Sequence, residues 1–164
     1  MKTLYYGGQK SGKSSLAEAK ALELADQNRP VYIATYDDSY GDAEMAERIA
    51  RHRVERAERF VSVEEPRDLI GQIASGGTYL IDCMSMWLLN TLEWDEERML
   101  AQIEALGAVD AHIVFVLNDV GSGVIPAERL SRTYVDRSGI VGQALARVCD
   151  EVYEVKLGIG VRLK

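Results

Sequence analysis

Seven short apolar runs recur along the chain, separated by stretches with helical spacing or turn signals. Thr3–Tyr6, Val31–Thr35, Phe60–Val63, Thr78–Asp82, His112–Leu117, Val152–Val155 and Val161–Leu163 are rich in β-branched, aromatic and other apolar side chains and read as strands. Val31–Thr35 and His112–Leu117 are nearly continuous apolar runs, which suits parallel strands covered on both faces. Ser15–Gln27 is rich in strong helix formers, and Leu16, Ala17, Ala21, Leu24 and Ala25 keep one side apolar. A second helix is expected from Asp42, a helix N-cap, through Arg59, with Met45, Ile49 and His52 on one face and charged rows elsewhere. Pro66 opens a helix to Ser75, stopped by Gly76-Gly77. Met84–Thr91 is an apolar segment, and Asp95, Glu96 and Glu97 place acids at the start of a helix to Leu106-Gly107. Two more helices are expected at Ala127–Tyr134 and Gly139–Cys149. The last two strands, around Gly158-Ile159-Gly160, read as an antiparallel hairpin at a sheet edge.

Strands alternating with helices predict one α/β domain over 1–164, a mainly parallel sheet with right-handed crossovers covering both faces. The loop between the first strand and the first helix gives this fold its chemistry. Gly7-Gly8-Gln9-Lys10-Ser11-Gly12-Lys13-Ser14 fits G-x-x-x-x-G-K-[ST], the phosphate-binding loop, and has the strand before it and the helix after it that the motif needs. Its glycines let backbone N–H groups approach phosphate oxygens, and the helix N-terminus adds donors and a favourable dipole. Lys13 is expected to neutralise the β- and γ-phosphates, and the Ser14 hydroxyl to ligate Mg²⁺. Asp82 ends an apolar strand in a carboxylate, the Walker-B pattern for holding Mg²⁺ or its water. In an open α/β sheet ligands bind beyond the C-terminal ends of the strands, so the loop Asn118–Pro126 is expected to face the same crevice.

Composition narrows the class. The chain has 164 residues, 47% of them apolar, and a net charge of −7 spread along its length. That balance fits a globular domain and argues against nonspecific nucleic-acid binding. No run of 18 apolar residues predicts a membrane span. The first strand begins at about residue 3 with no signal peptide before it, so the expected compartment is the cytoplasm. Cys83 and Cys149 lack metal or disulfide spacing, and Cys83 reads as a small core residue. Met84–Leu92 reads as core or as a subunit interface. His112, at the start of its strand, reads as a surface or edge residue. His52 on the inner face of its helix reads either as a hydrogen-bonded, half-buried histidine or as a functional one.

The segments taken together resemble the bifunctional adenosylcobinamide kinase/adenosylcobinamide-phosphate guanylyltransferase family. The resemblance is carried by the phosphate loop, Tyr32-Ile33-Ala34-Thr35, Glu44-Met45-Ala46…Arg48-Ile49…His52-Arg53 and Val63-Glu64-Glu65-Pro66. It continues in Asn118-Asp119-Val120-Gly121…Gly123-Val124-Ile125-Pro126…Arg129-Leu130 and Gly158-Ile159-Gly160-Val161. It implies two reactions at one site, with ATP or GTP phosphorylating adenosylcobinamide and GTP supplying GMP to adenosylcobinamide phosphate. It implies His52 as the guanylylated nucleophile. It also implies nucleotide contacts at Gly7 to Ser14, at Ala34, Thr35 and Tyr36, at Arg53, Val54, Glu55 and Arg56, and at Glu64 and Asp82. A homotrimer is implied as well. A P-loop small-molecule kinase without the transferase step and a non-catalytic GTP-binding regulatory module are the alternatives. Three positions depart from the family pattern: Asp119 replaces a glutamate, Val135 an arginine and Gly142 an asparagine. They are expected near contacts to substrate phosphate or corrin.

Overall fold

The structure, a computed structural model, describes residues 1–37 and 57–164. Its strands are β1 (Lys2–Gly7), β2 (Val31–Ala34), β3 (Val61–Glu64), β4 (Thr78–Asp82), β5 (His112–Asn118), β6 (Glu151–Lys156) and β7 (Ile159–Arg162). Its helices are α1 (Lys13–Ala25), α2 (Met84–Asn90), α3 (Glu96–Ala108) and α4 (Arg129–Val148). The strands form one sheet in the order β3-β2-β4-β5-β1-β6-β7. Every neighbouring pair is parallel except β6 and β7, the C-terminal hairpin. This is the mainly parallel α/β, P-loop-like fold that the alternation of elements predicts.

Period-two alternation divides the core. Leu4, Ile33, Ile81, Phe115 and Leu117 face one side, where α2, α3 and α4 pack through Trp87, Met99, Ile103 and Leu145. Tyr5, Tyr32, Leu80, Val114 and Val116 face the other, where α1 packs through Ala17 and Ala21. Alanine at both contact positions of α1 lets the helix lie close to the sheet, so the phosphate loop that feeds it is held near the strand ends. Trp87 is fully buried, donates its indole N–H to the Arg67 carbonyl at 3.0 Å and meets Trp94 edge-on at 6.1 Å. Replacing a buried tryptophan by alanine costs about 3–5 kcal/mol in such settings.

Two expectations are corrected. The helix expected over Pro66–Ser75 is a 3-10 turn at Ile70–Gln72. Glu65 Oε1 accepts the amides of Arg67 and Asp68, and Asp68 Oδ1 accepts that of Gly71. These local side-chain bonds compete with the helical ladder. The two helices expected over 127–149 are one, α4. Its inward seam of Tyr134, Ser138, Val141 and Leu145 keeps helical spacing through Gly139 and Gly142, so packing overrides the glycine penalty. Cys83, the N-cap of α2, is partly buried and packs against the core cluster that holds Tyr32 and Leu80. The apolar Met84–Leu92 stretch, read as core or interface, is core for the most part: Met84, Trp87 and Leu88 are fully buried within the chain. The expected helix over Asp42–Arg59 falls largely outside the described residues.

Candidate active site

The phosphate loop leaves β1 at Gly7 and enters α1 at Lys13. Gly7 has no room for a side chain, because a Cβ there would lie 2.4 Å from the Val155 carbonyl oxygen of β6. Gly12 is left-handed (φ 96°) and caps α1 with no side-chain hydrogen bond, so the first amides of the helix keep their donors available. Two backbone bonds hold the loop from either side. Asp119 N–H donates to the Gly7 carbonyl at 2.9 Å, and Gly158 N–H donates to the Ser11 carbonyl at 2.8 Å. Lys13 is 6% exposed and donates its Nζ to the Gly8 carbonyl at 3.1 Å, which lays the ammonium back over the loop. The Ser11 hydroxyl is buried with no hydrogen-bond partner among the described residues.

On the other flank, Glu64, Ala34 and Asp82 stand in register on β3, β2 and β4. Adjacent strands lie about 4.8 Å apart, so these residues make a row across the C-terminal edge of the sheet. Tyr32 donates its hydroxyl to Asp82 Oδ2 at 2.9 Å. Thr35 is fully buried and its hydroxyl is engaged in structure: it accepts the Cys83 amide at 2.9 Å and donates to the Cys83 carbonyl at 2.7 Å. Asn90 Nδ2 donates to the Thr35 carbonyl at 2.7 Å and to the Pro66 carbonyl at 3.1 Å. A buried polar cluster thus fixes the chain on both sides of Asp82. Burial first, then the neighbouring Asp82 charge, pushes the Cys83 thiol up to about 11, so it stays protonated and unreactive near neutrality.

Ser14 in the first turn of α1 and Asp82 at the end of β4 offer a hydroxyl and a carboxylate. Hard oxygen donors of this kind suit Mg²⁺, which keeps several waters and takes phosphate oxygens for the rest of its shell. Among the described residues no group of three or more His, Cys, Asp or Glu side chains converges on a metal position. The donor set therefore fits a Mg²⁺ that arrives with a triphosphate, not one caged by protein alone.

Of the residues singled out from sequence, Gly7 to Ser14, Ala34, Thr35, Tyr36, Glu64 and Asp82 all lie at this one edge. His52, Arg53, Val54, Glu55 and Arg56 lie outside the described residues. His112 lies at the start of β5, at the opposite end of the sheet, where its Nδ1 is 3.0 Å from the chain's N-terminal nitrogen, in keeping with an edge role. Residues that sequence reasoning did not single out are Tyr32, Asn90 and Gly158, whose roles rest on contacts far apart in the chain. The Gly158-Ile159-Gly160 spacing was the one signal for the last of them.

Two of the three departing positions line a cavity of about 310 Å³ between α4 and β1. Val135 and Gly142 line it, together with Tyr6, Leu117, Gly121 and Gln143. Asp119 does not reach outward. Its carboxylate accepts the Gly121 and Ser122 amides at 3.1 Å and the Ser122 hydroxyl at 2.5 Å. The shorter acid closes a turn in its own loop.

Comparison with known proteins places this chain in a family. The sequence model of cobinamide kinase / cobinamide phosphate guanyltransferase matches residues 3–163. The bifunctional adenosylcobalamin biosynthesis protein CobP of Pseudomonas aeruginosa is 40% identical over 100% of this chain and 98% of its own length. The bifunctional adenosylcobalamin biosynthesis proteins CobU of Escherichia coli and Salmonella typhimurium are 36% and 33% identical, with both chains covered in full. No described helix is long and apolar enough to cross a membrane. Phosphate loop, strand-end carboxylate and end-to-end similarity agree, and the chain belongs to the cobinamide kinase / cobinamide phosphate guanyltransferase family.

Proposed function

We propose that this protein phosphorylates adenosylcobinamide with a nucleoside triphosphate and then transfers GMP from GTP to adenosylcobinamide phosphate by way of His52. The observation that carries the reading is the common edge on which Lys13, Ser14, Ala34, Glu64 and Asp82 stand, in a chain matched end to end by bifunctional relatives. In the first reaction the substrate hydroxyl attacks the γ-phosphorus and the nucleoside diphosphate leaves. Lys13 and the amides at the start of α1 stabilise charge on the phosphate oxygens, and Asp82 with Ser14 holds Mg²⁺, which supplies further charge neutralisation when bound. In the second, the neutral imidazole of His52 attacks the α-phosphorus of GTP. A P–N bond forms, the bond to pyrophosphate breaks, and a GMP phosphoramidate remains. A phosphate oxygen of the cobinamide phosphate then displaces the histidine to give adenosylcobinamide-GDP. Covalent capture divides one difficult transfer into two easier ones.

GTP labelled at the α-phosphate tests this directly. The wild type should acquire an acid-labile label in the presence of Mg²⁺, and His52→Ala should not. Equal labelling of both proteins would remove His52 from the role. Phosphorylation of adenosylcobinamide without any label would leave a plain kinase, and turnover of neither substrate would leave a nucleotide-binding module. We also propose a cytoplasmic homotrimer. Its contacts must come from surfaces other than Met84, Trp87 and Leu88, which the chain buries itself. Light scattering giving a monomer at micromolar concentration would overturn it.

A further inference from the structure

The turn of the C-terminal hairpin breaks a local rule at a place where it touches the phosphate loop. Lys156 and Ile159 are paired across β6 and β7, which leaves Leu157-Gly158 as a two-residue connection. Both residues are left-handed, Leu157 at φ 54° and Gly158 at φ 79°. Such a turn favours Asn-Gly, Asp-Gly or Gly-Gly, because a left-handed leucine is sterically disfavoured and gains nothing from a local hydrogen bond. Leu157 is also 95% exposed, so it does not serve the core of this chain. Its neighbour is in intimate contact with the loop. Gly158 N–H donates to Ser11 O at 2.8 Å, and a Cβ on Gly12 would come within 3.0 Å of the Gly158 Cα. An exposed apolar side chain in a conformation suited to another residue, one residue from a phosphate loop, points to a ligand contact.

The sheet order says which part of a ligand would lie there. β4, with Asp82, is on one side of β1, beyond β5; β6 and β7 are on the other. In phosphoryl transfer the terminal phosphates lie at the lysine and the strand-end acid, which bind the β- and γ-groups. A triphosphate so placed extends its nucleoside end away from Asp82, toward the hairpin. We propose that Leu157 is a nucleotide-specificity residue: its side chain packs against the base of the phosphoryl-donor nucleoside triphosphate, with Gly158 setting the distance of that contact from the loop. The inference rests on the nucleotide-binding reading above.

The test is the pair Leu157→Asn and Leu157→Met, each titrated calorimetrically with GTP and with inorganic tripolyphosphate, which has the phosphates and no base. Asparagine suits the turn, so Leu157→Asn should melt no lower than the wild type. It should bind GTP about tenfold more weakly, the loss that about 1.4 kcal/mol of contact represents, and tripolyphosphate as the wild type does. Leu157→Met should keep both affinities. Unchanged GTP affinity in Leu157→Asn overturns the proposal, as does an equal loss for both ligands, which would mean a distorted loop. A change of oligomeric state with GTP affinity intact overturns it in favour of contact with a second copy of this chain. The nucleotide reading itself fails separately, if the wild type binds neither ligand.

Discussion

Tyr32 donates its hydroxyl to Asp82 Oδ2 at 2.9 Å, and this bond aims the one carboxylate at the end of β4. The ring of Tyr32 is buried and meets Phe60 edge-on at 6.0 Å, so its position is set by packing, independently of any ligand. Tyr32→Phe keeps the ring and removes the bond. We expect a stability loss of about 1 kcal/mol. The Mg²⁺ concentration needed for half-maximal triphosphate turnover should rise about tenfold, as when a group that orients a metal ligand is lost. A magnesium titration of turnover with an unchanged midpoint would show that Asp82 needs no orienting partner.

Two adjacent glycines of the phosphate loop should behave differently. A Cβ on Gly7 would lie 2.4 Å from the Val155 carbonyl oxygen and 2.9 Å from Ser11 Oγ, whereas a Cβ on Gly8 meets nothing within 4 Å. The Val155 oxygen belongs to backbone in a paired strand and cannot swing away. Gly7→Ala should therefore destabilise by about 1–3 kcal/mol, the usual cost of overpacking, and Gly8→Ala by clearly less. Urea unfolding of both variants is the measurement, and equal midpoints would contradict the close approach of β6 to the loop.

The alternation of short apolar runs and helical spacing carried the sheet and its hairpin, because a parallel strand buried on both faces leaves a continuous apolar run in sequence. The phosphate loop and Asp82 were legible for a related reason: their chemistry fixes residue types at short spacing. Errors arose where tertiary contact overrode a local signal. The sequence reads as two helices, the second starting at Gly139, yet the seam from Tyr134 to Leu145 holds α4 together. Pro66 reads as the opening of a helix, and instead Glu65 and Asp68 close turns with amides two or three residues ahead of them. Partners distant in the chain could not be read at all. Nothing near Tyr32 announces Asp82, and nothing near Ser11 announces Gly158.

The loop after β5 should show a stability window set by pH. Tyr6 interacts with the Asp119 carboxylate, and burial first, then that carboxylate, push its pKa up to about 12. For Asp119, burial acts to raise the pKa, but hydrogen bonds from Ser122, Tyr6 and the Gly121 and Ser122 amides outweigh it and hold the carboxyl below its usual range. A raised pKa gives stability that is fully present below the unfolded value, about 10 for tyrosine, and is lost as pH rises through the folded one. A lowered pKa gives stability present above the unfolded value, about 3.9 for aspartate, and lost as pH falls through the folded one. Tyr6→Phe should cost about 0.5–1.5 kcal/mol between pH 5 and 9. The gap from wild type should narrow above pH 10, as Tyr6 ionises in the unfolded chain. Denaturant midpoints of the two proteins from pH 5 to 11 check this, and a gap that widens with pH would reverse the assigned sign.

Lys13 should matter far more to binding than to stability. It occupies the first position of α1, whose first turn holds no acid and whose Gly12 cap makes no side-chain bond. A cation there opposes the helix dipole, an unfavourable term of about 0.3–1 kcal/mol. Its Nζ also lies over the loop, 3.1 Å from the Gly8 carbonyl, in a largely buried position. The dipole term offsets part of what the bond to the Gly8 carbonyl contributes, and the ammonium over the loop suits an anion that brings its own negative charge. Lys13→Ala should therefore melt only slightly below the wild type without ligand. With the charge-assisted contacts to phosphate gone, triphosphate affinity should fall about a hundredfold, since hydrogen bonds to charged groups are each worth about 1.5–3 kcal/mol. A ligand raises the melting temperature only in so far as it binds the folded state. The shift that a saturating triphosphate gives the wild type should accordingly vanish in the variant. A variant that melts several degrees lower without ligand would assign Lys13 a structural role, and one that keeps the ligand-induced shift would remove it from the phosphate site.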